Sequence, residues 1–193
     1  PIFAPVKIVI ISGTNRAGAQ SRRLAERTQG FYAESGAEVQ LLDMAHLPVE
    51  VLLGSAYKEK PAAFVEGFIE PVLAADGLHV IVPEYNGSFP GVLKLFIDLL
   101  PFPEAFERRP TAYTGIAAGK FGALRAVEQL QMVFGYRNAF NYPERVFIPA
   151  AYGVFGEHDA FIDPDLEARL RRQANGFREY VDALRPVRER PLT

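Results

Sequence analysis

Short, almost wholly apolar runs alternate with longer stretches of helical periodicity along this chain. That alternation restricts the fold more than any other feature. Five runs read as strands, at 6–11, 37–42, 78–83, 112–117 and 145–149. The first and third are apolar nearly throughout, as a strand must be when both of its faces are covered. Helical patterns occupy 21–34, 62–75, 89–100 and 122–134, with a last one near 165–184. Strand–helix alternation of this kind predicts an α/β fold in three layers: a five-stranded parallel sheet with helices on both faces. No repeat, low-complexity tract or charged linker divides the 193 residues, so one domain over 1–193 is expected. At this length roughly 70% of the chain's surface is buried on folding, enough for one core without staples.

Punctuation supports these boundaries. Ser88 is expected to cap a helix that has Pro90 in its first turn, where a missing N–H costs nothing. Asp163 followed by Pro164 predicts another helix start, with Asp163 and Asp165 as capping residues and not metal ligands. Gly135 is expected to stop the fourth helix, and Pro71 to kink or break the second.

Composition removes several chemistries. Twenty-one Lys and Arg against 23 Asp and Glu leave a net charge of −2, which gives no bulk attraction to nucleic acid or an acidic membrane. With no cysteine there is no disulfide, thiolate nucleophile or iron–sulfur cluster. His46, His79 and His158 share no metal-ligand spacing, so no metal is expected, and His79 reads as a satisfied core or edge residue. No apolar run is long enough to span a bilayer. The opening PIFAPVKIVII lacks the basic region and cleavage site of a secretory signal, which points to a cytoplasmic protein.

In a parallel sheet of order 2-1-3-4-5 the strand order reverses between strands one and three, and ligands bind at the carboxyl ends of the strands there. The loops after Ile11 and Pro83 are therefore expected to carry the chemistry. The first is SGTNRAGAQSRRLAE, a Gly-containing turn leading into a helix. Backbone N–H groups and the positive helix end make such a turn an anion site. Ser12, Thr14 and Ser21 add hydroxyls, Gln20 an amide, and Arg16 a permanent planar cation, a set suited to a phosphate monoester. It has neither the Gly-Lys-[Ser/Thr] of a Walker loop nor G-x-G-x-x-G. Turns and caps use the same residue types, so this loop by itself leaves both readings open. Arg22 and Arg23 read as a solvated helix face.

The second loop, PEYNGSFPGVLKLFIDLL, offers backbone N–H groups of Tyr85 through Ser88 to the edge of a flat heteroaromatic ring, with the Tyr85 side chain as apolar surface. Asn86 is placed to bond a polyol or ring oxygen. Its structural alternative is an ordinary Asn-Gly and Pro turn, with Glu84 a solvated carboxylate. Two such loops at the two required strands are a less accidental pair than either alone.

Three segments resemble the NADPH-dependent FMN reductase family of flavodoxin-like proteins, which includes azo, quinone and chromate reductases. KIVIISGTNRAGAQS is similar to the family's Gly-Ser-x-Arg-x-x-Ser motif with altered spacing. PEYNGSFPGVLKLFID matches its Pro-Glu-Tyr-Asn signature at most positions, and GIAAGKFGALRAVEQLQ resembles its Gly-rich loop and following helix. Leu95-Phe96 departs from the family's usual Asn-Ala, and the stretches 100–110 and 136–142 are less typical. The aromatic cluster Phe134, Tyr136, Phe140, Tyr142 and Phe147 reads as core or a buried subunit face.

The resemblance implies a flavodoxin-like FMN-binding domain. FMN would pass hydride from NADPH or NADH to a small acceptor (quinone, free flavin, azo compound) in a ping-pong cycle, with no catalytic side chain. It places Ser12, Thr14, Arg16, Ala19, Gln20 and Ser21 at the FMN phosphate, and Pro83, Glu84, Tyr85, Asn86 and Ser88 around the ribityl chain and ring. Ala118, Gly119 and Lys120 fall near the pyrimidine edge, and a homodimer or homotetramer is implied. The alternatives are a flavin-binding electron-transfer module, disfavoured by the small net charge, and an interaction module that has lost flavin.

Overall fold

The computed structural model describes residues 4–190. Residues 1–3 and 191–193 lie outside the described residues, and with them the ends of the domain expected over 1–193 and the first letters of the opening read for a leader. Strands β1 (Lys7–Ser12), β2 (Glu38–Asp43), β3 (Gly77–Pro83) and β4 (Pro110–Ile116) pair in parallel in the order β2-β1-β3-β4. The fifth position holds two short strands, β5 (Phe140–Asn141) and β6 (Val146–Ile148), which pair in succession with β4. The single run expected at 145–149 is thus half of an interrupted edge. Pro143, between the two pieces, has no N–H to give the ladder.

Residues on each strand alternate between faces. Ile8, Ile10 and Ile81 pack under α1 (Gln20–Glu34) and α6 (Pro164–Arg188), together with Leu24, Phe31 and Phe177. Val9, Ile11, Val80 and Val82 pack on the other face, under α2 (Ala62–Phe64), α3 (Glu70–Ala74), α4 (Gly91–Leu99) and α5 (Leu124–Tyr136). This is the three-layer arrangement expected from the sequence. Phe96, one of the two departures from the family pattern, is fully buried against Phe64 and Phe68, each with ring centroids 6.1 Å away. It fills core volume.

Helix ends differ from expectation in instructive ways. Pro71 does not end its helix: a π turn, Val65–Ile69, precedes it, and Pro71 sits in the first turn of the α-helical segment that follows, where its missing N–H costs least. Gly135 lies inside α5, and Asn138 (φ 61°) ends the helix instead, with Ala139 N–H reaching back to Phe134 O and Asn138 N–H to Gly135 O. The Asp163 carboxylate accepts from the Asp165 N–H at 2.9 Å, as expected of a cap, while α6 runs on to Arg188. Of the aromatic cluster, Phe134 and Tyr142 are buried, but Tyr136 is 82% exposed and belongs to no core.

His79 is a satisfied core residue. The Thr114 hydroxyl donates to Gln173 Oε1 (2.7 Å) and so accepts from His79 Nε2 (2.8 Å), which leaves Nδ1 to accept from the Tyr32 hydroxyl (2.8 Å). Gln173 Nε2 donates onward to the carbonyls of Tyr113 (2.9 Å) and Glu144 (3.0 Å). This line ties α1 and α6 to the middle of the sheet. Burial pushes the imidazole down to about pKa 3, so it is neutral.

Candidate functional site

β1 and β3 are neighbours whose ends coincide, Ser12 opposite Ile81, so the loops that follow them emerge side by side. The Gly13 N–H donates to Ile81 O at 3.0 Å, and a Cβ at position 13 would lie 2.7 Å from that oxygen, so glycine permits the close crossing. The hydroxyls of Thr14 and Tyr85 hydrogen-bond at 2.8 Å and lock the two loops together.

At one end of this junction the donors outnumber the acceptors. α1 starts at Gln20 with Ala19 as its N-cap, no side-chain cap and no acidic residue in the first turn. The hydroxyls of Ser12 (0% exposed) and Ser21 (2%) are buried and have no partner among the described residues. The Arg16 N–H donates to Thr14 Oγ1 at 3.3 Å, and its exposed guanidinium makes no bond to a described residue. An orphaned buried hydroxyl costs about 1–3 kcal/mol unless something supplies an acceptor. A phosphate monoester supplies several, next to an uncapped helix start and a free guanidinium. The residues present therefore fit an FMN phosphate.

Arg22 and Arg23 are not simply solvated. Arg22 pairs with Glu26 (2.9 Å) and Asp43 (2.8 Å), while Arg23 binds Asp159 and donates to Gln20 Oε1 (3.0 Å), which ties it to a residue of the cavity wall.

A cavity of about 190 Å³ opens beside the phosphate end and is lined by Arg16, Ala19, Gln20 and Ser21, by Pro83, Glu84 and Tyr85, and by Ala117 and Ala118. A second cavity, of about 220 Å³, shares Glu84, Ala117 and Ala118 and continues past Asn86, Gly87, Gly119 and Phe121 to Arg125. Together they form one trough along the carboxyl edge of the sheet, as the strand-order rule requires.

The far end of the trough is built on a two-residue turn. Asn86 (φ 52°) and Gly87 (φ 77°) take the left-handed conformations of a type I′ hairpin. The Tyr85 and Ser88 N–H groups are consumed across it, donating to each other's carbonyls at 2.8 and 3.0 Å. This corrects the expectation that all four N–H groups face a ring: only those of Asn86 and Gly87 have no acceptor among the described residues. Ser88 does not cap α4 either. Pro90 occupies the cap position, and the Ser88 hydroxyl donates to Gln129 Oε1 at 2.6 Å. Gln129 Nε2 returns a bond to Gly87 O at 3.1 Å, so α5 clamps the turn. Glu84 is mostly buried and pairs with Arg125 at 3.7 Å.

Ser12, Thr14, Ser88 and Lys120 line neither cavity, the first two being buried, and the other sequence-derived candidates line one or both. Sequence reasoning missed Ala151 and Tyr152, which follow β6. The rule that pointed to strands one and three applies equally to the carboxyl end of the fifth strand position. It also missed Arg125 and Gln129, for which helical spacing gives no signal.

Gly122 closes the far wall at φ +56°, and a Cβ there would meet Ile148 N at 2.6 Å. Gly122→Ala is expected to lower unfolding free energy by about 2 kcal/mol or more, since left-handed strain adds to a clash with immovable backbone. Urea unfolding checks this.

Residues 6–153 match the family described as NADPH-dependent FMN reductase. An NAD(P)H-dependent FMN reductase of Pseudomonas aeruginosa is 32% identical over 184 residues, covering 93% of this chain and 97% of the relative. A 2-hydroxy-1,4-benzoquinone reductase of a Burkholderia species is 29% identical over 72% of this chain and 76% of its own length. Among solved structures, a flavoenzyme NAD(P)H:(acceptor) oxidoreductase of Paracoccus denitrificans superposes with a TM-score of 0.77 over 93% of this chain and 98% of its own, at 20% identity.

Proposed function

The chain belongs to the NADPH-dependent FMN reductase family, and on that premise we propose how this protein works as an FMN-dependent NAD(P)H oxidoreductase. When bound, FMN would supply the redox chemistry, hydride transfer from NAD(P)H to a small acceptor, quinones among them, in a ping-pong cycle. The protein's part is to bind, orient and shield.

Ser21, Gln20, the Ala19–Gln20 helix start and Arg16 grip the phosphate, with Ser12 and Thr14 behind them. The buried hydroxyls need an acceptor, and the uncapped helix end favours negative charge. Pro83, Glu84 and Tyr85 form the wall beside the ribityl chain. The unpaired N–H groups of Asn86 and Gly87 would donate to the ring, while Ser88 and Gly87 are held by Gln129. Ala118 and Gly119 would hold the pyrimidine edge of the ring, where backbone donors would favour the added negative charge that flavin chemistry requires. No side-chain acid or base is required.

Among the described residues no helix is long and apolar enough to cross a membrane, and no group of three or more His, Asp and Glu is placed to hold a metal. A cytoplasmic setting suits an enzyme fed by a cellular dinucleotide. A homodimer or homotetramer fits the large exposed side chains Met132 (67%) and Tyr136 (82%), which lie one turn apart on α5.

One observation carries the reading: Arg16 and Tyr85 line the same cleft, and Thr14 is bonded to Tyr85 across it. The test is a visible spectrum of the protein titrated with FMN, followed by anaerobic NADPH or NADH. Saturable binding and rapid bleaching are expected. Bound flavin inert to both donors would make this a carrier, and no binding at micromolar FMN would leave an interaction module.

A further inference from the structure

Arg23 stands one turn behind the start of α1, and Gln20 is that helix's first residue, so the two side chains share a face. The Arg23 guanidinium donates through Nη1 to Gln20 Oε1 at 3.0 Å and through Nε to Asp159 Oδ1 at 2.6 Å. Its carbon lies 4.6 Å from the centroid of the Phe155 ring. Three contacts in different directions fix the plane of the fork, which a solvated arginine would not have.

The support on the far side is itself braced. Residues 154–162 fold back on themselves: Ile162 N–H donates to Val154 O at 3.0 Å, Gly156 N–H to Ala160 O at 2.9 Å, and the Phe155 and Phe161 rings lie 5.1 Å apart. Phe161 stacks on Phe31 of α1 at 6.2 Å. His158 (φ 53°) and Asp159 (φ 58°) take left-handed backbone at the tip of this loop, and the Asp159 carboxylate there meets Arg23.

A guanidinium carries donors only, so the amide atom it meets is the oxygen of Gln20. That leaves Gln20 Nε2, with two N–H donors and no acceptor among the described residues, as the end free for a ligand, and Gln20 lines the cavity with Ser21 and Arg16. An untethered glutamine presents oxygen or nitrogen with similar ease, and the oxygen would repel a phosphate. We propose that Arg23 is a positioning residue that holds the Gln20 amide with its nitrogen towards the FMN phosphate, and so gives the site its preference for phosphorylated flavin over riboflavin. The proposal rests on the FMN-binding reading above.

The test titrates flavin-free protein with FMN and with riboflavin, which lacks the phosphate, and follows flavin fluorescence. Arg23→Met is expected to weaken FMN about tenfold, the loss of one charge-assisted bond, and riboflavin by less than about twofold. In a Gln20→Ala background the same change is expected to cost FMN less than about twofold more, because the amide that Arg23 positions is gone. Gln20→Glu keeps the shape and the contact to Arg23 but presents oxygen where the nitrogen stood, and is expected to lose FMN tenfold or more with riboflavin unchanged. It decides the matter alone if Arg23→Met does not fold, which urea unfolding shows. Equal losses of both flavins in folded Arg23→Met overturn the proposal, as do additive losses in the double variant, the mark of a bare charge, or a Gln20→Glu protein that keeps FMN. Wild type that binds neither flavin sinks the oxidoreductase reading itself, and the proposal falls with it.

Discussion

Replacing Arg16 and Ser21 together by alanine is expected to weaken FMN binding by about 3–6 kcal/mol, since each hydrogen bond to a charged group contributes about 1.5–3 kcal/mol. The same variant is expected to leave the flavin-free protein at least as stable as wild type. Arg16 is exposed and makes no partner among the described residues, so its removal breaks no intramolecular contact beyond its own backbone's bond to Thr14, which alanine retains. Ser21 is buried with an unpartnered hydroxyl, and alanine at that position removes an unsatisfied group. Stability unchanged with binding lost is what separates a ligand site from structural capping. FMN titration and urea unfolding of the same preparations decide it. A variant that binds FMN with wild-type affinity would remove the phosphate from this end of the trough.

Acid is expected to unfold the protein through His79. The buried imidazole has a folded-state pKa lowered from 6.5 to about 3. In the unfolded chain it takes up a proton below about pH 6.5, and the folded protein refuses it until about pH 3. The stability contributed by the neutral ring is therefore complete above pH 6.5 and is lost as pH falls from there towards 3. The linkage amounts to about 2.7 kcal/mol by pH 4.5 and on the order of 4–5 kcal/mol by pH 3. His79→Gln is expected to be less stable at pH 7, because the bonds to Tyr32 and Thr114 are remade imperfectly, yet to show a shallower fall between pH 6.5 and 4.5. Urea midpoints at the two pH values measure the slope. Equal slopes in both proteins would show that His79 titrates normally in the fold.

The Arg16 and His79 cases divide the protein in a useful way. Arg16 was singled out from sequence as a candidate phosphate ligand because it stands in a hydroxyl-rich loop after the first apolar strand, where a parallel sheet of this order binds its ligands. His79 was legible as structural because it sits inside an apolar strand and no other histidine has ligand spacing to it. Neither inference needed coordinates. The orphaned hydroxyls of Ser12 and Ser21 did, because burial depends on what packs over a residue from elsewhere in the chain. The same is true of the Gln129 clamp on Gly87 and Ser88, which spans about forty residues and two elements.

Local signals were least reliable at helix ends. Ser88 has the right chemistry for a cap, but a cap is decided by which N–H groups are left over, and the hairpin at Asn86–Gly87 moved α4's start past it. Gly135 lost to Asn138 for a similar reason: packing of Phe134 against Phe106 and Tyr113 carries α5 beyond the glycine. Of the two cations after β4, only Lys120 was singled out from sequence, and only the packing of Gly122 against Ile148 in the tertiary structure sets Arg125 at the cavity and Lys120 beside Phe121.

Hydrophobic periodicity, which acts residue by residue along the chain, was enough to dictate the layers, the parallel sheet and the two loops that meet. Tertiary structure alone decided which polar atoms are left without partners and which side chains from distant elements share a wall. Those depend on contacts between segments that no local pattern encodes.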